Sequence, residues 1–182
     1  ILLVTLGTGV GGGIIHNGRI LPGEHGAGAE IGHIPVNREE TDVCGCGNRG
    51  CLEQYASATG IVRMTKKLLE KKQEASVLRE GEITSKAIFD AAKEGDALAK
   101  EAVADYAEML GFGLAAACNT ADPEIVVLGG GVSRAGQSLC DAVQTAFRKY
   151  AFHAVRDTKF ALATLGNDAG MYGSAKLLLD EG

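Results

Sequence analysis

Apolar positions fall in short runs near the start of the chain and at helical spacing further on. Ile1 to Leu6 is almost unbroken apolar sequence and predicts a strand buried on both faces. It runs into Gly7-Thr8-Gly9-Val10-Gly11-Gly12-Gly13. Ile14 and Ile15, then Arg19, Ile20 and Leu21, predict two more strands joined at Asn17-Gly18, a strong hairpin signal. Pro22 and Gly23 end that unit. Ile31 to Val36 is expected to be extended, because Pro35 forbids a regular helix. Residues 37–50 are polar and turn-rich, an excursion that needs something to tie it down.

From residue 51 the period lengthens. A helical pattern runs through Tyr55, and a second, after a break expected near Thr59-Gly60, places Ile61, Met64, Leu68 and Leu69 on one face. Thr84 is a candidate N-cap for a helix over 85–94, Gly95 stops it, and Asp96 caps the next. That next helix, from Ala97 to about Asn119, carries Leu98, Val103, Tyr106, Leu110, Leu114 and Ala117 as its stripe. Gly111 and Gly113 leave room for a neighbour. Ile125 to Leu128 predicts a short buried strand ending in Gly129-Gly130-Gly131. A helix over 137–150, a strand over 159–165 and a final helix from Asp168, with Met171, Ala175, Leu178 and Leu179, complete the pattern. Strands first, then helices alternating with single strands, specify an α/β domain with a mixed sheet.

Composition narrows the classes. With 182 residues, 46% of them hydrophobic, the chain can bury one sizeable core. A net charge of −5 and the lack of a basic stripe argue against nucleic-acid binding. The basic run from Lys66 to Lys72 reads as the solvated face of a helix. No stretch has the length of a membrane span, and the apolar start lacks the basic region of a signal peptide. The chain opens on a strand without Met, as if entered mid-protein.

Candidate chemistry concentrates between Glu30 and Glu53. This stretch holds His33, three of the five cysteines (Cys44, Cys46 and Cys51), and a carboxylate at each end. One imidazole and three thiolates suit a tetrahedral zinc ion, and a closed four-ligand shell marks a structural metal. A disulfide framework is the competing reading, weakened by the closeness of Cys44 to Cys46. Cys118 and Cys140 read as small buried hydrophobes. His33 alone could be a buried histidine bonded to backbone, and Glu30 and Glu53 plain surface charges. Together they could grip a polyhydroxylated ligand, with His33 donating from the ring nitrogen that faces away from the metal.

The Gly-rich turn after the first strand offers backbone N–H groups and the Thr8 hydroxyl to an anion. It is neither a Walker A loop nor a dinucleotide fingerprint, and a ligand-free hairpin is the plainer alternative. Gly129 to Gly131 sit where ligands gather in α/β sheets, past the carboxyl end of a strand.

Four segments carry a resemblance: LGTGVGGGII at 6–15, GAGAEIGH at 26–33, CGCGNRGCLE at 44–53 followed by YASATG, and PEIVVLGGGVS at 123–133. Over its whole length the chain resembles the C-terminal half of a ROK-family (repressor, open reading frame, kinase) sugar kinase, most like the bacterial glucokinases. The resemblance implies an actin-like, ribonuclease-H-like ATPase domain with a mixed sheet and a zinc-stabilised loop over 33–51. It implies that residues 1–182 are a C-terminal domain whose N-terminal partner domain lies outside this sequence. It assigns sugar hydroxyls to Glu30, His33 and Glu53, zinc to His33, Cys44, Cys46 and Cys51, ATP phosphates to Thr8 and Gly9, and the nucleoside to Gly129, Gly130 and Gly131. Mg²⁺ would accompany the ATP. The family's catalytic aspartate and DxGxT-type motif belong upstream, so no catalytic residue is expected in this chain, and in isolation it should be inactive. The implied reaction is phosphorylation of a hexose, glucose first, at its 6-hydroxyl. A cytoplasmic homo-oligomer is expected. A sugar-responsive repressor of the same family is the alternative.

Overall fold

The computed structural model describes residues 1–166 together with Ala169 and Gly173; the helix expected from Asp168 lies outside the described residues. Five strands form one sheet in the order β3-β2-β1-β4-β5. They are β1 (Leu2–Leu6), β2 (Val10–His16), β3 (Arg19–Ile20), β4 (Ile125–Gly129) and β5 (Lys159–Leu162). β1 pairs antiparallel with β2 and parallel with β4, and β4 pairs parallel with β5, so the sheet is mixed as expected. The hairpin between β2 and β3 turns at Asn17 and Gly18, both left-handed at φ 51° and 76°. The last strand ends at Leu162, three residues short of the expected Leu165.

Among the described residues, five α-helices follow the first three strands. α1 (Glu53–Ala56) and α2 (Ala58–Lys71) form a corner; α3 (Ser85–Glu94), α4 (Ala97–Ala121) and α5 (Gln137–Tyr150) are the longer packing elements. The predicted caps are made: the Thr84 hydroxyl accepts from Ala87 N–H at 3.1 Å and Asp96 Oδ1 from Ala99 N–H at 2.9 Å. The break between α1 and α2 falls at Ser57, not at Thr59-Gly60. Ser57 Oγ accepts the Gly60 N–H at 2.9 Å and so starts α2, which carries Gly60 inside its first turn.

Burial corrects one expectation for β1. Leu2, Val4 and Leu6 are fully buried, whereas Leu3 is only partly buried and Thr5 is exposed. Alternate residues of β1 and β4 join Leu52, Ile61, Ile88, Leu110, Leu114 and Phe147 in one core, so the helices cover that face of the sheet. A fully buried leucine such as Leu114 contributes about 2 kcal/mol. α5 packs closely on α4 where Gly111 meets Ala146 and Phe147. Because β1 and β4 are parallel neighbours, the Gly7 and Gly130 turns leave the same edge of the sheet, and the functional residues gather there.

Candidate functional site

The Gly-rich turn is a tight connection between β1 and β2. Gly7 N–H donates to Gly9 O at 3.0 Å, and the α1–α2 corner is fastened beneath it. Ala58 N–H donates to Gly7 O at 2.8 Å, and the Thr59 hydroxyl donates to Thr8 O, also at 2.8 Å. Thr8, Gly9, Thr59 and Gly60 line one wall of a cleft of about 460 Å³; Glu53, Cys44 and Arg63 belong to the remainder.

Ile31–His33 forms a single 3-10 turn before extended Ile34, where extended chain was expected from Ile31 on. Pro35 rules out an α-helix but not this shorter turn. The turn brings His33 to the loop. His33 Nδ1 lies 3.8 Å from Cys44 Sγ, Cys46 Sγ lies 3.6 Å from Cys51 Sγ, and the four ligand atoms all fall within 4.8 Å of one another. Zinc with bonds of about 2.0–2.3 Å to nitrogen and sulfur sets ligand atoms about 3.5–3.8 Å apart; the Cys46–Cys51 and His33–Cys44 separations are close to this, and the four residues could hold a tetrahedral ion. All five cysteines are free, and the Cys46–Cys51 separation is well beyond a disulfide bond. Burial raises the Cys44 thiol and pushes Cys51 up to about 12, while backbone donation at Asn48 lowers Cys46. A bound metal must therefore displace protons from the two buried thiols.

The loop closes by backbone pairing at its neck. Val36 N–H donates to Gly50 O at 2.7 Å, and Leu52 N–H to Ile34 O at 2.9 Å. Gly50, at φ 74°, admits no side chain, since a Cβ would stand 1.8 Å from Asn37 O.

Both carboxylates reach His33. Glu30 Oε2 lies 4.0 Å from Nε2 and Glu53 Oε1 lies 3.9 Å from Nδ1, so the ring stands between them. Glu53 Oε1 also accepts from the Cys44 thiol at 3.2 Å. Its other oxygen abuts the Gly-rich turn: a Cβ on Gly9 would sit 2.6 Å from Glu53 Oε2. The structure thus joins Thr8, Gly9, Cys44 and Glu53 at one cleft, with Glu30, His33, Cys46 and Cys51 beside it. Gly129 and Gly130 sit at the end of β4, while Gly131 lines a separate cavity of about 250 Å³ with Ser85, Phe89 and Arg134.

Sequence reasoning missed the residues at the base of the metal loop. Glu40 Oε2 accepts from Tyr55 OH at 2.5 Å and from Arg63 Nη2 at 2.8 Å. Arg63 Nη1 donates to Asp42 Oδ2 at 2.7 Å, and its Nη2 donates to Gln54 O at 3.0 Å. The Arg63 guanidinium, with desolvation opposing it, holds the Glu40 carboxyl down to about 2. Lys67, expected to be merely solvated, donates to Asp42 at 2.8 Å. The only signal in the sequence was charge of opposite sign, 23 residues apart, with no motif to link it.

Comparison with known proteins bears out the resemblance. The ROK family model matches residues 1–181, and the chain belongs to the ROK family. It is 47% identical over 182 residues to a glucokinase of Halalkalibacterium halodurans, covering 97% of this chain and 55% of that protein. It is 30% identical over 185 residues to a xylose repressor of Caldicellulosiruptor bescii, covering 100% of this chain and 46% of that protein. A ROK family glucokinase from Streptomyces griseus, solved with glucose and AMPPNP, superposes with a TM-score of 0.86 at 37% identity, over 97% of this chain and 59% of that one. The fold is therefore the actin-like ATPase fold of the ROK kinases. The chain spans about half the length of the relatives it matches. No helix among the described residues is long and apolar enough to cross a membrane.

Proposed function

We propose that the full-length protein phosphorylates a hexose, glucose first, at its 6-hydroxyl with ATP. The observation that carries this reading is the convergence at Glu53: one oxygen faces His33 and the other abuts Gly9 of the phosphate-side turn. A sugar held by Glu30, His33 and Glu53 would lie within reach of a phosphate cradled at Thr8 and Gly9. The nucleoside would rest beside Gly129, Gly130 and Gly131.

His33, Cys44, Cys46 and Cys51 would hold zinc, which would supply structure alone, because a four-ligand shell leaves no open position for substrate. With Nδ1 on the cysteine side of the ring, His33 Nε2 would be available to a sugar hydroxyl. Glu30 and Glu53 accept hydrogen bonds from the hydroxyls and orient the 6-oxygen for in-line attack on the γ-phosphorus. The attacking hydroxyl gives up its proton to a carboxylate base, ADP departs, and Mg²⁺ offsets the charge on the phosphates. The base belongs to the upstream half. The chain 1–182 alone should accordingly show no turnover.

Similarity to proteins named glucokinase, one of them solved with glucose and an ATP analogue, supports the reading. Similarity to a xylose repressor supports the alternative, a sugar-responsive regulator. The intact turns at Gly7–Gly13 and Gly129–Gly131 favour the kinase. A coupled assay of ATP with a hexose panel decides between them. The kinase reading expects turnover by the full-length protein, glucose preferred, and none by chain 1–182. Hexose binding without turnover would favour the repressor. A cytoplasmic homo-oligomer is part of the same proposal.

A further inference from the structure

Two of the four candidate metal ligands, Cys44 and Cys46, lie within the loop, and a different set of atoms holds its incoming limb. Every acceptor position of the Glu40 carboxylate that the loop can reach is filled. Oε2 takes Tyr55 OH and Arg63, while Oε1 takes the N–H groups of Thr41 and Asp42 at 3.1 Å each. The Glu40 side chain is only 7% exposed, so this is no solvent-screened surface pair.

The guanidinium is the bridge. Toward the incoming limb it donates to Glu40 and Asp42; toward the outgoing limb it donates to the carbonyl of Gln54, the residue after Glu53. It also stands 5.2 Å from the centre of the Tyr55 ring. Gln54 carries the tie onward, accepting from Cys51 N–H at 3.1 Å and donating to Asp42 O at 2.9 Å. Only a planar fork satisfies acceptors in this arrangement; an ammonium on a lysine stem does not. None of these atoms is a metal ligand.

We propose that Arg63 is a positioning residue for Glu53 and for the metal ligands Cys44 and Cys51, acting through a clamp at the base of the loop that closes without the metal. The part concerning Glu53 rests on the proposed sugar kinase function; the part concerning the loop does not. Two arginines in the loop report separately on the clamp and on the candidate ligands, because Arg38 lies just before Glu40 and Asp42 and Arg49 lies between Cys46 and Cys51.

The test uses full-length protein as wild type, Arg63→Met and Arg63→Lys, with tryptic cleavage mapped by mass spectrometry and zinc transfer to a chromogenic chelator. In the wild type, removing zinc should expose the bond after Arg49 and leave the bond after Arg38 protected. Arg63→Met should expose the Arg38 bond with zinc still bound and weaken zinc retention about tenfold to a hundredfold. Arg63→Lys should recover only part of either effect. The hexose KM should rise about tenfold in Arg63→Met while the ATP KM stays unchanged. Should Arg63→Met fail to show a cooperative melt, Glu40→Gln is read by the same two assays. Chelated wild type that opens at Arg38 as fast as at Arg49 would overturn the clamp, as would Arg63→Met or Glu40→Gln with wild-type cleavage and zinc transfer. Absence of hexose turnover in the wild type would refute the kinase reading and leave the cleavage and zinc results to decide the clamp.

Discussion

The Gly7–Gly9 turn and the loop over 37–50 meet at Glu53 but are held in opposite ways. Gly7 to Gly9 is fixed by its neighbours: strands on both sides pair in register, and α2 takes the carbonyls of Gly7 and Thr8. The loop over 37–50 pairs with itself only locally, through the Val43–Arg49 bridge, the Cys44–Asn48 and Cys44–Gly47 backbone bonds, and the side-chain turns of Asn37 and Glu40. It is also held from outside, at the neck by Ile34 and Val36 and at residues 40 and 42 by Arg63, while Cys44 and Cys46 of the loop meet His33 and Cys51 at a candidate metal site. A short turn between paired strands needs no cofactor. A long polar loop loses more backbone entropy on ordering and requires several independent ties.

The contrast predicts where each region fails. Cys44→Ser should release the metal altogether, taking elemental zinc from one per chain to near none, while the β1–β2 turn keeps its place; nucleotide affinity measured by calorimetry should therefore hold. Next in size is Gly50→Ala. Its Cβ would collide with the Asn37 carbonyl in a left-handed conformation, so a loss of about 3 kcal/mol in denaturant melts is expected.

Glu40 comes third and responds to pH. Its folded-state carboxyl sits at about 2, below the ordinary 4.5, so its contribution is complete above 4.5 and is lost as pH falls from there through about 2. Thermal melts should show wild type more stable than Glu40→Gln by about 2 kcal/mol near neutrality. The gap should close toward pH 2, and a gap constant down to that pH would contradict the assignment.

Gly9→Ala tests the contact between the two regions. Its new Cβ meets the end of a flexible carboxylate, so Glu53 yields and the fold does not. Steady-state kinetics should show the hexose KM raised about tenfold, the size of one lost charge-assisted hydrogen bond, with the melting temperature unchanged. Lys67→Met is the smallest. Both Lys67 and Asp42 are about half exposed, at 43% and 51%, and the expected loss in melts is below about 0.5 kcal/mol.

The same contrast explains what the sequence disclosed. Local signals succeeded: the Asn17-Gly18 turn, the Thr84 and Asp96 caps, and a helix over 137–150 all form as read, since each is decided within a few residues. The clustering of His33, Cys44, Cys46 and Cys51 was legible because thiols and an imidazole carry their chemistry in their identity. Gly60 misled, because a glycine weighed as a breaker sits inside α2, where the carbonyls of Glu53 and Gln54 come too close for any side chain. The expected two-faced burial of β1 failed for a related reason: an apolar run says that a strand can be buried, not that helices cover both faces. The Arg63 clamp was invisible, as it depends on how α2 folds back beneath residues 40 and 42. Partners chosen by tertiary geometry leave no period and no motif.

Under the proposed function, Glu30, His33 and Glu53 recognise sugar and take no part in the chemistry of transfer. Calorimetric titration of glucose, then of a non-hydrolysable ATP analogue, into full-length wild type and Glu53→Gln tests this most directly. The account predicts glucose affinity weakened about tenfold to a hundredfold with the affinity for the ATP analogue unchanged. Equal glucose affinity in the two proteins would contradict it.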